Sequence, residues 1–187
     1  MDAFFVNGPF LAGFSRESRS PAVTKSGTLY YPAWLAYACG HLEDNGFNVK
    51  LLDCIADRMS FDDSVEAVIK ERPKLVVIGT STPSIEADAS FAKAIKDRLP
   101  ATLICMVGTH ASSTAHETLS IYPWVDFIAR REYDETLLDV ARRMENGISL
   151  IDCYGLSLRN IDSNEIIENP DRDYIKDLED RKSTRLN

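Results

Sequence analysis

Short, continuously apolar runs alternate along this chain with longer stretches of helical period, and that alternation restricts the fold more than any other feature. The runs are Ala3 to Val6, Val49 to Leu52, Leu75 to Ile78, Leu103 to Val107 and Val125 to Ala129. Apart from Lys50 in the second and Asp126 in the fifth, they are apolar at consecutive positions rather than at every second one. Strands covered on both faces read this way, and such strands belong to parallel sheets whose crossover helices provide the cover. Between them, Tyr31 to Asn45 carries Leu35, Ala38 and Leu42 on one stripe and ends at Gly46, a residue suited to closing a helix. Ser60 to Arg72 opens with Ser60 and Asp63 at capping-box spacing and stops before Pro73. Thr82 and Pro83 cap a stretch in which Ile85, Ala89, Ala92, Ile95 and Leu99 keep helical spacing until Pro100. Thr114 to Ile121 is shorter, and Glu132 to Asn146 turns Leu137, Leu138, Ala141 and Met144 inward before Gly147. The fold class is therefore α/β, a doubly wound, flavodoxin- or Rossmann-like parallel sheet of about five strands.

Beyond Gly155 the texture changes. Leu156 to Arg159 and Glu165 to Glu168 flank Asp162, Ser163 and Asn164, which reads as a C-terminal β-hairpin appended to the sheet. Residues 1–150 are expected to form the binding domain and 151–187 the hairpin and a linker. The final stretch, Asp171 to Asn187, is charged and offers only Tyr174, Ile175 and Leu178 for burial, so it is expected to be loose.

Composition limits the function classes. A length of 187 residues can bury a real core, and 44% hydrophobic with 27% charged residues is the balance of an ordinary globule. The net charge of -8 disfavours generic nucleic-acid binding, which depends on clustered cations. No apolar run approaches the roughly 20 residues that cross a bilayer, and the start, MDAFFVNGPF, lacks the charged and apolar regions of a secretory leader. Cys39, Cys54, Cys105 and Cys153 lie far apart, each in or beside an apolar run. They read as reduced, buried thiols of a cytoplasmic protein rather than a disulfide or zinc framework.

In a doubly wound sheet ligands bind beyond the carboxyl ends of the strands, so the loops there hold the candidate site. The loop after the first run extends from Asn7 to about Thr28, far longer than the roughly 2–6 residues usual for such a connection. It places Arg16, Arg19 and Lys25 among several hydroxyls with Glu17 the only acid. It reads either as a cationic arm for phosphate or carboxylate or as a solvated excursion. The third run leads into Gly79, Thr80, Ser81, Thr82 and Pro83, and the fourth into Gly108, Thr109, His110, Ala111 and Ser112. Both exits are small and hydroxylated, which lets a ligand approach the backbone and supplies donors, although Ser and Thr also belong at helix starts. Bulky side chains at Ser81 or Gly108 are expected to block this groove and leave the fold intact. The second run ends at Asp53, and the fifth leads into Arg130, Arg131 and Glu132. Neither a dinucleotide fingerprint nor a P-loop is present. His110 and His116 make no convincing metal pair.

Several stretches taken in order resemble the N-terminal cobalamin-binding domain of B12-dependent radical S-adenosylmethionine enzymes. They are NGPF with SRESRSP, YYPAWLAYACGHLEDNGFNVKLLD, LVVIGTSTPSIEAD, MVGTHAS, VDFIARREYDETL, YGLSLR and IIENPDRDYIKDL, and they span about Phe4 to Leu178. The resemblance implies a corrinoid over the carboxyl edge of the sheet with its nucleotide tail threaded between strand exits. Thr80, Ser81, Thr82 and Pro83 would line one side of the tail groove, Gly108, Thr109 and His110 the other, with Arg130 and Glu132 flanking it. Asn7, Pro9, Arg16, Arg19 and Asp53 complete the implied cofactor-binding set. In cobalamin domains of the methionine synthase type an Asp-x-His-x-x-Gly motif supplies a histidine beneath cobalt; here the matching run begins at Asp53 but has Ile55 and Arg58 at the histidine and glycine positions. The resemblance thus implies no protein histidine ligand from that motif. It also implies a C-terminal radical S-adenosylmethionine barrel with a CxxxCxxC triad for a [4Fe-4S] cluster, which this sequence does not contain. The chain is expected to bind cobalamin, to be non-catalytic alone, and to be a truncated or separately made portion of a methyltransferase-like enzyme. A receiver-like signalling module and a flavin- or nucleotide-binding flavodoxin-like domain are the alternatives.

Overall fold

The computed structural model describes residues 1–17, 21–24, 27–160 and 163–173. Strand β1, Ala3–Asn7, is buried throughout. Within the long loop that follows, Phe14–Ser15 and Ala22–Val23 pair antiparallel as a small hairpin, β2 and β3. Helix α1, Ala33–Asp44, leads to β4, Val49–Asp53. Helix α2, Phe61–Glu71, is capped by Ser60, whose hydroxyl accepts the Asp63 N–H at 3.1 Å. Strand β5, Leu75–Gly79, passes through one 3-10 turn, Thr82–Ser84, into α3, Ile85–Arg98. Strand β6, Leu103–Val107, is followed by two short helices, α4, Thr109–Ser113, and α5, Ala115–Ile121. Strand β7, Phe127–Ala129, and α6, Asp134–Asn146, complete the α/β run, and β8, Leu156–Arg159, with β9, Ile166–Glu168, forms the C-terminal hairpin.

Among the described residues the main sheet has the order β4-β1-β5-β6-β7-β8-β9. The first five strands are parallel and the last two antiparallel, β8 pairing against β7. The C-terminal hairpin therefore extends the sheet.

The apolar strands feed two cores, because successive side chains point to opposite faces. Ala3 and Phe5 of β1, with Val77 and Cys105, join Leu35 of α1 and Leu137 of α6 on one face. Phe4 and Val6, with Val76, Ile78 and Met106, meet Val65 of α2 and Phe91 and Ile95 of α3 on the other. A double cover of this kind is the reason the runs show no alternation in sequence.

Several boundaries moved. The fifth run shortens to Phe127–Ala129, since Val125 packs into the core ahead of the ladder. The start of the charged C-terminal stretch is pinned rather than loose: Asp171 accepts from Arg130 and Arg131, and Arg172 pairs with Asp139 at 2.5 Å. Tyr174, Ile175 and Leu178 lie outside the described residues, as do Asp162, Arg19 and Lys25. All four cysteines are free and buried.

Candidate functional site

Strand β1 has β4 on one side and β5 on the other, so the chain departs in opposite directions from neighbouring strand ends and a crevice opens between them. A cavity of about 670 Å³ occupies this switch point, within the roughly 300–1,000 Å³ of small-molecule sites. Asn7 of β1, Gly79 and Thr80 at the end of β5, Val107 and Gly108 at the end of β6, Trp34 and Leu35 of α1, and the segment from Arg131 to Asp134 leading into α6 all line it. The long loop contributes Arg16, Glu17 and Pro21.

The slot between the β5 and β6 exits is narrow for a backbone reason. Thr80 donates both its N–H and its hydroxyl to the Val107 carbonyl, at 2.9 and 2.8 Å. A Cβ on Gly79 would stand 2.7 Å from Leu35 Cδ1, and one on Gly108, whose φ is +114°, would collide with the Thr80 carbonyl. Substitution at Gly108 is therefore a backbone perturbation, which corrects the expectation that it would leave the fold intact. Ser81 is also committed: its N–H meets Ser84 Oγ at 3.2 Å and its hydroxyl shares a 2.8 Å bond with the same atom, closing a capping box. Thr109 has no such task and is exposed. Above the slot, His110 Nδ1 and Thr82 Oγ1 lie 3.2 Å apart and tie the two exits together.

Arg16 holds the long loop against the sheet. Its guanidinium, 4% exposed, reaches Asp88 Oδ1 at 2.5 Å, and Asp88 is fully buried. Further bonds run from Nη1 to Asn7 Oδ1 and the Gly8 carbonyl, both at 2.9 Å, and from Nε to Ser84 Oγ at 3.2 Å. Asn7 in turn donates to Asp53 Oδ1 at 2.8 Å. One polar chain thus crosses the exits of β4, β1 and β5. The rings of Phe10 and Phe14 flank the cation with centroids 5.9 Å away, shielding it from water. Burial pushes the Asp88 carboxyl up to about 6, against the opposing pull of Arg16 and Ser84. Burial also raises Glu17. The Cys54 thiol is pushed up by burial to about 11 and keeps its proton at neutral pH.

Of the residues singled out in the sequence, Asn7, Arg16, Thr80, Ser81, Thr82, Gly108, Thr109 and Glu132 come together around the cavity. Pro9, Asp53, Pro83, His110 and Arg130 stand outside its lining, and Arg19 lies outside the described residues. Asp53 caps the turn after β4 by accepting the N–H groups of Ile55 and Ala56 at 3.2 and 3.1 Å, and Ile55 is buried. Arg130 staples β7 to the C-terminal hairpin through Asp171 at 2.9 Å and the Leu156 carbonyl at 3.0 Å. Next to it, Arg131 adopts φ 59° and donates its N–H to Ser112 Oγ at 3.0 Å. This kink is costly for a non-glycine residue; it delivers Glu132, Tyr133 and Asp134 to the cavity. Glu17, Trp34, Tyr133 and Asp134 were not singled out from the sequence as site residues, where each reads as an ordinary helix-start or loop residue, and Leu35 reads there as a core position of the first helix.

The sequence model of the B12 binding domain matches residues 19–141. Among curated proteins, the anaerobic magnesium-protoporphyrin IX monomethyl ester cyclase of Cereibacter sphaeroides is 30% identical over 115 residues, which is 61% of this chain and 19% of that protein. An uncharacterized methyltransferase of Pyrococcus horikoshii is 25% identical over 154 residues, 82% of this chain and 33% of its own length. The chain thus spans about a fifth to a third of the curated relatives it matches. Among solved structures, the radical S-adenosylmethionine methyltransferase TsrM from Kitasatospora setae, with cobalamin and a [4Fe-4S] cluster bound, superposes with a TM-score of 0.72 at 15% identity, covering 94% of this chain and 30% of that one. The cobalamin-dependent S-adenosylmethionine radical enzyme OxsB, with aqua-cobalamin bound, gives 0.74 at 13% identity, covering 92% and 22%.

Proposed function

This chain belongs to the B12 binding domain family, and from that premise we propose that it is the cobalamin-holding portion of a methyltransferase-like radical S-adenosylmethionine enzyme, not catalytic alone. The observation that carries this reading is the cavity of about 670 Å³ over the exits of β1, β5 and β6, where Asn7, Thr80, Ser81, Gly108 and Thr109 line one wall. The residues present fit the group. Small side chains and backbone line the place where a threaded nucleotide tail would pass, the exposed hydroxyl of Thr109 offers a hydrogen bond, and half-exposed Trp34 with Tyr30 and Tyr31 offers apolar surface to a disc.

When bound, the cofactor supplies the cobalt chemistry, which no side chain here can provide. The chain's own residues bind and orient. Arg16 and Asp88 fix the loop, Asn7 and Ser81 are held facing the cavity, and Glu132 with Tyr133 bounds its far side. Pro9, Asp53, Pro83, His110 and Arg130 would support this lining from behind or contact parts of the cofactor that extend beyond it, and Arg19, outside the described residues, stays in the proposed cofactor-binding set. Buried Ile55 at the histidine position of the related motif favours a cobalt without a histidine from that turn.

The partner on this reading is a radical S-adenosylmethionine barrel with its own [4Fe-4S] cluster and S-adenosylmethionine, joined after residues 151–187. The four buried, unpaired thiols support a cytoplasmic address, and no helix among the described residues is long and apolar enough to cross a membrane. A receiver-like role is disfavoured because β1 ends in Asn7, Gly8 and Pro9 rather than in an acidic pair.

Titration of the purified chain with hydroxocobalamin and, separately, with FMN tests the proposal. A saturable shift of the corrin absorbance without flavin quenching is expected. Quenched flavin fluorescence with an unchanged corrin spectrum would overturn it.

A further inference from the structure

Successive side chains of an extended chain point to opposite faces, yet Arg130 and Arg131, just past β7, converge on one carboxylate. Asp171 Oδ1 accepts from Arg130 Nε and Nη2 at 3.1 and 2.9 Å, and its Oδ2 accepts from Arg131 Nη2 at 2.7 Å. The chain leaves strand geometry at Arg131, whose backbone is left-handed with φ 59°. A non-glycine residue stays in that region only where its surroundings over-determine it. Two contacts restrain it: Ser112 Oγ holds its N–H at 3.0 Å, and Asp171 holds its guanidinium. The kink matters because Glu132, Tyr133 and Asp134, next in sequence, line the cavity at the switch point. A second cleft of about 680 Å³, lined by Glu168 to Asp171, lies against that cavity, and Ser112, Ser113 and Arg131 border both. The wall between the two is therefore held from its far side, by the segment that runs out of β9.

We propose that Asp171 is a positioning residue for this cavity: it holds Arg131 in the left-handed turn, and with it the 132–134 wall, so that ligand binding is coupled to the anchoring of the segment after β9. The inference rests on the cobalamin reading above for its ligand and on geometry alone for the wall. The segment is itself fixed at several points. The Pro170 carbonyl accepts the Gly155 N–H at 2.8 Å, the Asn169 N–H reaches the Leu156 carbonyl at 2.9 Å, and the Asn169 side-chain amide reaches the Cys153 carbonyl at 2.9 Å. Gly155 packs so closely on α6 that a Cβ there would stand 2.5 Å from Thr136 Oγ1. Arg172 pairs with Asp139 of the same helix at 2.5 Å, and Asp134 begins that helix. The segment thus grips the wall at its turn and along the helix that follows. Arg131 is half exposed, so its pair with Asp171 adds little to the stability of the fold. Its effect is expected in the placement of the wall. Such coupling is reciprocal, since a ligand that fixes the wall also restrains the segment.

The test uses three variants of the full chain. Asp171→Asn keeps shape and removes the charge, and Asp171→Glu keeps the charge. Asp152→Asn removes the exposed partner of Arg143, outside the cavity lining, and serves as the control. Backbone amide exchange in the ligand-free chain reads the wall directly, and visible titration with hydroxocobalamin reads binding. Asp171→Asn is expected to speed exchange at residues 131–134 about fivefold or more and to weaken hydroxocobalamin by a similar factor, while the melting temperature falls by no more than about 2–4 °C. Asp171→Glu should recover most of both losses, and Asp152→Asn should show neither. Wild-type exchange at residues 131–134 in Asp171→Asn overturns the inference whatever the ligand. Faster exchange there with undiminished hydroxocobalamin affinity, or an equal loss of affinity in Asp152→Asn, overturns the coupling. A wild-type chain that binds no hydroxocobalamin overturns the cobalamin reading, and the exchange measurement then decides by itself whether Asp171 positions the wall.

Discussion

Replacing Arg16 by alanine removes the cation paired, among the described residues, with the fully buried Asp88 carboxylate. It also breaks the bonds to Asn7, Gly8 and Ser84. Breaking a buried pair from one side typically costs ~3–5 kcal/mol, because the remaining charge is left without a counterpart. Against a total stability of roughly 5–15 kcal/mol this is a large fraction. At ~2–4 °C per kcal/mol for a chain of this size, the melting temperature should fall by roughly 6–20 °C. The loss should depend on pH in a definite sense. Burial raises the Asp88 carboxyl in the fold to about 6, above its ordinary 3.8, so stability from the neutral carboxyl is fully present below the ordinary value and is lost as pH rises through the folded one. Arg16 is among the groups that pull that value down. Without it the carboxyl titrates higher and the loss of stability extends further upward in pH. The gap between wild type and R16A should therefore be small at pH 5, where both forms hold the proton, and widen towards pH 8. Urea unfolding followed by circular dichroism across this range measures it. A gap under about 1 kcal/mol at pH 8, or one independent of pH, would refute the reasoning.

Other substitutions separate backbone roles from ligand roles. Gly108→Ala should lower the unfolding free energy by ~2–4 kcal/mol, since it imposes a strained φ and a clash with the Thr80 carbonyl; denaturant melts at wild-type values would contradict this. Thr109→Trp, at an exposed position on the slot, should shift stability by no more than about 0.5 kcal/mol yet weaken hydroxocobalamin binding about tenfold or more. Retained affinity in a titration would show that the slot is not the entry for the tail. Ile55→Ala, at a buried site outside the cavity lining, should cost ~2–5 kcal/mol and leave the absorbance of bound corrinoid unchanged; a spectrum indicating altered axial ligation would count against a histidine-free turn.

Strands β1, β5 and β6 were readable because each is covered on both faces and so carries an unbroken apolar signature, as Phe4, Phe5 and Val6 do in β1, whereas β4 at the sheet edge exposes Lys50. Elements too short to show a period escaped. Helix α4 spans only Thr109–Ser113, with Ala111 its one buried side chain, and β2 and β3 are two residues each. The small-residue exits that line the cavity were legible as a composition. The purpose of individual residues was not, because Ser81 and Gly108 serve the backbone as well as the slot. The loop that carries Arg16 reads in the sequence either as a cationic arm or as a solvated excursion, whereas the Arg16 guanidinium faces inward. A signal for its true partner did exist: Asp88 shares the buried side of α3 with Ala89, Phe91, Ala92 and Ile95, and a carboxylate among apolar neighbours requires a counter-charge. Sequence spacing alone could not say that the cation comes from 72 positions away.

The position of that pair explains how an acidic, close-packed domain keeps a slot open at all. Protein interiors tolerate few voids, and a crevice lined by glycine, serine and threonine has little side-chain bulk to resist the loop settling into it. A buried network restrains the loop because each bond has a direction. Arg16 meets Asp88 on one element, Asn7 on a second and Ser84 on a third, so collapse of the loop would break several charge-assisted bonds at once without water to replace them. Replacing Arg16 and Asp88 together by apolar residues of similar volume should therefore be tolerated far better in stability than R16A alone, as buried pairs often are. The same double variant should still bind cobalamin poorly, since apolar contacts would no longer fix Asn7 and Ser81 at the cavity. If it instead binds as well as the wild type, the network contributes stability only and the loop is positioned by packing.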